Sequence, residues 1–214
     1  MSFRPIPIIT HTMTTLFFDT ETTGLPIDRK IPALQNEKNW PQLVSLSWSL
    51  WEGGECVKRE SHLIRPRGWT IPASSTLIHG ITQELAEANG SPLENALDSI
   101  RKDIIRSSKI VAHNMEFDKN VLFHAFAWHL RKDPRKFWPE AAEFCSQTVA
   151  KGELKLPYAY SKPNDLYKLP GLDEVYMATF NEEAPPSAHS SARDVEVLEK
   201  IYWARWGLAT LNTV

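Results

Sequence analysis

Residues 43–51, LVSLSWSLW, alternate with period two. Leu43, Ser45, Ser47 and Ser49 fall on one side and Val44, Leu46, Trp48 and Leu50 on the other, with Leu43 the apolar intruder in the polar set. Successive side chains of a strand point to opposite faces, so this stretch is a strand with one apolar face. EGGE at 52–55 is a hairpin turn, and CVKRESHLI at 56–64 is the return strand. Any fold for this chain must therefore accommodate an antiparallel pair.

The flanking segments add parallel strands and helices. Leu16–Asp19 reads as a short buried strand, and Leu25–Pro41 as a polar, proline-containing loop too long for a tight turn. After HGIT at 79–82 the spacing becomes helical. A stronger helix starts at Pro92, with Leu93, Ala96, Leu97, Ile100 and Ile104 on one face. KIVAHN at 109–114 is a strand leading into a helix from Glu116 to Leu130, whose apolar positions are Phe117, Val121, Ala125 and Trp128. A last strand and a short helix fall within Phe144–Ala150, residues 155–170 are irregular, LDEVYMATF after Gly171 is a short helix, and a final helix runs from Ala192 to about Trp206. This order predicts an α/β fold with a central mixed β-sheet flanked by α-helices, antiparallel first and parallel later. The chain is expected to form one domain over 14–208, with a loose leader at 1–13 and a tail at 209–214. Most of the eight tryptophans belong to the core, with Trp40, Trp69 and Trp138 expected to be exposed.

Composition excludes several classes. A net charge of −2 does not suit a protein that coats nucleic acid, although it permits an enzyme gripping only a strand end. Cys56 and Cys145 fit no zinc spacing and read as reduced thiols of a cytoplasmic protein. No apolar run reaches the roughly 18 residues of a membrane span.

FFDTETTGL at 17–25 raises a chemical question. Asp19 and Glu21 project to the same face of a strand, where each raises the other's pKa unless a cation intervenes. A bare D-x-E is ordinarily a solvated strand end. Oxygen ligands also suit magnesium or manganese. In VAHNMEFD, 111–118, Asn114 is an N-cap candidate, and Asp118, four residues on, shares its side of the helix. In HSSARD, 189–194, five helical residues turn by about 140° from the starting face. His189 and Asp194 therefore converge only if His189 lies on the loop leading in, which Pro185 and Pro186 favour. All three clusters sit where strands end and helices begin, the edge at which α/β folds gather catalytic groups.

The ordered set FDTETTGL, HN-x-x-FD and H-x-x-x-x-D resembles the histidine branch of the DEDD (DnaQ-like) 3'-to-5' exonuclease superfamily, over roughly residues 14–205. That branch includes the epsilon proofreading subunit of DNA polymerase III, ribonuclease T and oligoribonuclease. The resemblance implies a ribonuclease-H-like fold and removal of 3'-terminal nucleotides with two divalent ions, Mg2+ or Mn2+. It implies that Asp19, Glu21, Asp118 and Asp194 hold the metals, with Asp118 acting directly or through water, and that His189 is the general base. It places the Thr22, Thr23, Gly24 and Leu25 backbone near the substrate's 3' end, where Leu25 either packs on the last base or only fills the loop. His79, in the HGIT element, is either near substrate by its family position or a helix-start histidine bonded to backbone. Asn114 is a cap that also reaches substrate, and His113 is structural.

The expected partner is a nucleic acid 3' end, with single-stranded DNA foremost. An RNA-preferring exonuclease and a catalytically idle binder are the alternatives. Arg131, Lys132, Arg135 and Lys136 form either a solvated loop or a steering charge. Tyr158, Tyr160, Lys162 and Lys168 either guide a strand or lie idle. The Leu25–Pro41 stretch is longer than in compact relatives and either shapes substrate choice or is passive. The chain has no polymerase domain and no evident polymerase-binding tail, which leaves a polymerase partner open.

Overall fold

The structure is a computed structural model, described for residues 13–139, 142–158, 166–186 and 190–207. The leader up to residue 12, Tyr160, Lys162, His189 and the tail lie outside the described residues. Among the described residues one five-stranded sheet has the order β3-β2-β1-β4-β5. Its strands are β1 (Thr14–Thr22), β2 (Leu43–Glu52), β3 (Glu55–Leu63), β4 (Lys109–Ala112) and β5 (Ala142–Cys145). β1, β2 and β3 pair antiparallel, whereas β4 pairs parallel with β1 and with β5, as expected for a mixed sheet. Gly53 and Gly54 turn the hairpin with φ of 60° and 90°, the left-handed region where a side chain is penalised.

The helices are α1 (Ala73–His79), α2 (Gln83–Asn89), α3 (Leu93–Arg106), α4 (Met115–His124), α5 (Ser146–Leu154), α6 (Leu172–Phe180) and α7 (Ser191–Tyr202). α4 runs on into a wide π turn, Ala125–His129, and α7 into another, Trp203–Gly207. One sheet face presents Leu16, Phe18, Leu46, Trp48 and Leu50 to α3 and α4, through Leu97, Ile100, Ile104, Val121 and Leu122. The other presents Phe17 and Val111 to Val195, Leu198 and Tyr202 of α7. Each fully buried side chain of this size contributes about 1.5–3 kcal/mol.

The serine side of β2 is roofed by α7, and Ser45, Ser47 and Ser49 are all buried. Ser191 Oγ at the start of α7 lies 2.6 Å from Ser45 Oγ and 2.7 Å from Ser47 Oγ. With hydroxyls in place of larger side chains, the helix comes down almost onto the sheet.

Several expectations are corrected. β1 does not stop at Asp19, because Thr20, Glu21 and Thr22 pair with Leu46, Ser45 and Leu43. The buried side of α4 is Met115, Asp118, Val121 and Leu122, continued by Ala125 and Phe126, whereas Phe117 is only partly covered. Trp40 is 5% exposed. The Leu25–Pro41 loop is closed on itself by Trp40 Nε1 to Ile31 O (2.8 Å) and folds over α4 and its π turn, held by Ala33 N to Asn120 Oδ1 (3.2 Å), His124 Nε2 to Glu37 O (2.7 Å) and Trp128 Nε1 to Ala33 O (2.8 Å). Among the described residues no helix is long and apolar enough to cross a membrane. Cys56 and Cys145 are free thiols.

Candidate active site

β1 supplies Asp19 and Glu21, both on the α7 face of the sheet. The first turn of α7 supplies Asp194. These three half-buried carboxylates each offer an oxygen within 4.8 Å of the others. The serine seam makes this possible, since a helix standing farther off would carry Asp194 away. Ser191→Leu is accordingly expected to cost about 1–3 kcal/mol through overpacking and to lower nuclease turnover out of proportion to the stability loss. Chemical denaturation combined with turnover measured well below the melting point checks this.

Asp118 enters from the other side of β1, on the first turn of α4, and is 4% exposed. Its Oδ1 accepts from Thr20 Oγ1 (2.6 Å) and from Thr20 N (3.2 Å). Thr20, the residue between the two acids of β1, thus ties Asp118, the fourth acid, to the strand.

Burial first, and then mutual repulsion, push these groups toward their protonated forms. Asp19 is raised well above the usual carboxylate range by burial and by Asp118, Asp194 and Glu21. Glu21 is raised to about 8 by burial and by Asp194 and Asp118. Asp118 is raised to about 7 by burial, with the Thr20 bonds opposing and Asp194 adding to the rise. The all-oxygen donor set and the repulsion a cation would relieve both fit a hard divalent ion.

The loop after β1 uses its side chains internally. Thr22 Oγ1 donates to Gly24 O at 2.7 Å, and Thr23 Oγ1 accepts from Gln42 N at 2.9 Å. Gly24 sits at φ 145°. Leu25 is 66% exposed at the rim. Backbone and Leu25 are what this turn leaves available to a ligand.

His79 closes α1 and does not start a helix; Gly80 follows it at φ 73°. Its Nδ1 accepts from Ile81 N at 3.1 Å, while Nε2 is buried without a hydrogen-bond partner. Burial lowers its pKa, with the nearby Thr22 backbone opposing, so the ring lies against the acidic strand's end. Asn114 occupies the predicted cap position at φ 122°, but its side chain makes no capping bond; its carbonyl takes Phe117 N (2.9 Å) and Asp118 N (3.3 Å). His113 is structural, between Ser146 Oγ (2.9 Å) and Pro170 O (3.0 Å), and burial pushes it down to about 4. An open cleft of about 750 Å3 lies between Ala33–Gln35, α4 and the start of α5; its lining includes Asn114 and Lys119, the latter next to Asp118 in sequence.

In the basic loop Lys132 pairs with Asp98 of α3 (2.9 Å) and Arg135 with Asp133 (2.8 Å). Lys168 pairs with Glu174. Three residues that shape the site carried no sequence signal of their own: Thr20, Ser191 and Arg193, whose Nη1 donates to Asp194 Oδ1 at 2.8 Å.

The chain matches the RNase_T exonuclease family over residues 16–202. It is 30% identical over 118 residues to the PolC-type DNA polymerase III of Streptococcus pyogenes serotype M1, a match covering 55% of this chain and 7% of the polymerase. E. coli exonuclease I in complex with a dT13 oligonucleotide superposes with a TM-score of 0.68 at 18% identity, covering 92% of this chain and 42% of that one. The zinc-bound form of the E. coli exonuclease I–ssDNA complex gives 0.68 at 21% identity, covering 92% and 42%. This chain therefore spans less than half of each relative. The shared fold is the ribonuclease-H-like one. A family match across nearly the whole sheet and both helices that carry acids, together with the three motifs in order, makes the chain a member of the RNase_T exonuclease family.

Proposed function

We propose that this domain removes nucleotides one at a time from the 3' end of single-stranded DNA, releasing nucleoside 5'-monophosphates. The observation that carries the reading is the convergence of Asp19, Glu21 and Asp194 at one end of the sheet, each with an oxygen within 4.8 Å of the others. DNA is favoured because the exonuclease I relatives are complexes with dT13 and dA16 oligonucleotides, and because the curated relative is a DNA polymerase. A cytoplasmic location belongs to the same reading.

In this proposal Asp19, Glu21 and Asp194 hold two divalent ions, Mg2+ or Mn2+, with Asp118 completing the set directly or through water. Bound there, the ions supply Lewis acidity toward the phosphate and offset the clustered negative charge. The chain's own groups do the rest. The Thr22–Leu25 backbone receives the terminal nucleotide, and exposed Leu25 packs on its base. His189 takes the proton of the attacking water, since an unperturbed imidazole titrates near neutral pH. The new bond joins water oxygen to phosphorus. The bond that breaks joins phosphorus to the 3' oxygen of the preceding nucleotide, which takes a proton from solvent and leaves the shortened strand with a 3' hydroxyl.

The test is release of mononucleotide from 3'-labelled DNA and RNA strands of equal sequence, in EDTA and then with added Mg2+ or Mn2+. Metal-dependent release with DNA preferred is expected. Full activity in excess EDTA would refute the metal reading, and RNA preference would move the substrate to that class. Binding of strands with no release at all would make the domain a binder. His189→Ala is expected to lower kcat by about a hundredfold with KM nearly unchanged. Equal losses in kcat and affinity would make His189 a binding group instead.

A further inference from the structure

Arg193 precedes the acid Asp194 in α7, and its side chain is 14% exposed. Nε and Nη2 both donate to the carbonyl of Pro185, at 3.0 and 2.8 Å. Nη1 meets Asp173 Oδ1 of α6 at 2.7 Å and Asp194 Oδ1 at 2.8 Å. One guanidinium thus ties three segments: α6, the stretch ahead of α7, and the acid itself. Of these partners only Asp194 belongs to the acid cluster.

We propose that Arg193 is a positioning residue for the metal centre, a guanidinium anchored from outside the acid cluster that fixes the orientation of Asp194. The inference rests on the metal-dependent reading above. A cation held by the cluster alone would be a counter-ion, displaced when a metal entered. Arg193 is held mainly by Pro185 and Asp173, so it stays in place and orients the carboxylate before the metal arrives. Two effects oppose each other. Its positive charge disfavours a neighbouring divalent ion, while its hydrogen bond presets one ligand. Asp173, on the same nitrogen, offsets much of the charge, so the orienting effect prevails. Lysine cannot reproduce it, because a single ammonium lacks the planar fork that spans the carbonyl and both carboxylates.

The test uses the full chain, stripped of metal and titrated with Mn2+ by calorimetry, with kcat and KM measured on a 3'-labelled strand. Arg193→Lys and Arg193→Gln are both expected to bind Mn2+ about tenfold more weakly, and to lose kcat with KM within about twofold of wild type. Asp173→Ala, at a site 59% exposed and so tolerant of change, is expected to weaken Mn2+ binding in the same direction by about threefold, and it carries the test if the Arg193 variants fail to fold. Unchanged Mn2+ affinity in these variants overturns the proposal. So does tighter binding by Arg193→Gln with wild-type binding by Arg193→Lys, the signature of a simple counter-charge. A wild-type protein that neither binds Mn2+ nor releases nucleotides sinks the nuclease reading itself, whereas a wild type that does both, with indifferent variants, sinks only the role of Arg193.

Discussion

Asp19→Asn is expected to cut turnover by about a thousandfold or more while making the metal-free protein more stable. The two effects share one cause. Asp19 is ringed by Glu21, Asp118 and Asp194, and burial and repulsion hold its pKa well above normal. At pH 8 the folded state either keeps a proton on this cluster or carries crowded charge, and both cost stability. Asparagine keeps the shape and removes one charge. A gain of about 2 kcal/mol, or roughly 4–8 °C for a chain of this length, follows for the protein in EDTA. Added Mn2+ should raise the melting temperature of wild type and leave the variant nearly unmoved. Thermal melts with and without Mn2+, run beside a turnover assay, check all three. A variant retaining a tenth of wild-type turnover would remove Asp19 from the proposed mechanism.

The metal-free protein should also lose stability as pH rises, against the common pattern for carboxylates. Glu21 titrates at about 8 and Asp118 at about 7 in the folded chain, against about 4 when unfolded. Between those limits the folded state holds protons that the unfolded state has released, so the contribution of these acids is greatest below about pH 4 and is lost on climbing toward 8. The buried imidazoles work in the other direction. Burial lowers His113 to about 4 and also lowers His79, His124 and His129, so they favour folding as pH rises through the unfolded value of about 6.5, and that gain is complete near pH 7.5. The window from about pH 7.5 to 8.5 therefore isolates the acids, with an expected loss on the order of 1 kcal/mol. Binding Mn2+ at pH 7 should release protons, seen as a dependence of the calorimetric heat on the buffer's ionisation enthalpy. A flat melting temperature in EDTA across that window would contradict the electrostatics of the cluster.

Much of the sheet was legible because its strands are either strictly alternating or continuously apolar. The hairpin at 43–63, α3, α6 and α7 stood out by spacing and turn chemistry alone. α1 did not, because its Leu77 and Ile78 are 87% and 61% exposed and leave no apolar stripe to detect. β1 was underestimated because polar residues end its sequence pattern while its ladder continues through Thr22. Trp40 was misplaced because its partner, Ile31 O, lies within a loop whose path no periodicity describes. The acids were legible as short motifs in a specific order. Thr20, Ser191 and Arg193 were not, since each acquires its role from a segment distant in sequence or from a neighbour whose position is set by packing.

The Leu25–Pro41 loop is closed on itself by the Trp40 indole and pinned to α4 and to the π turn after it by the Asn120 amide, the His124 imidazole and the Trp128 indole. A segment bolted down this way does not flap. If it discriminates among strands, it does so as a mould whose contour exists before the guest arrives, and a misfit is rejected by shape rather than by a failure to close.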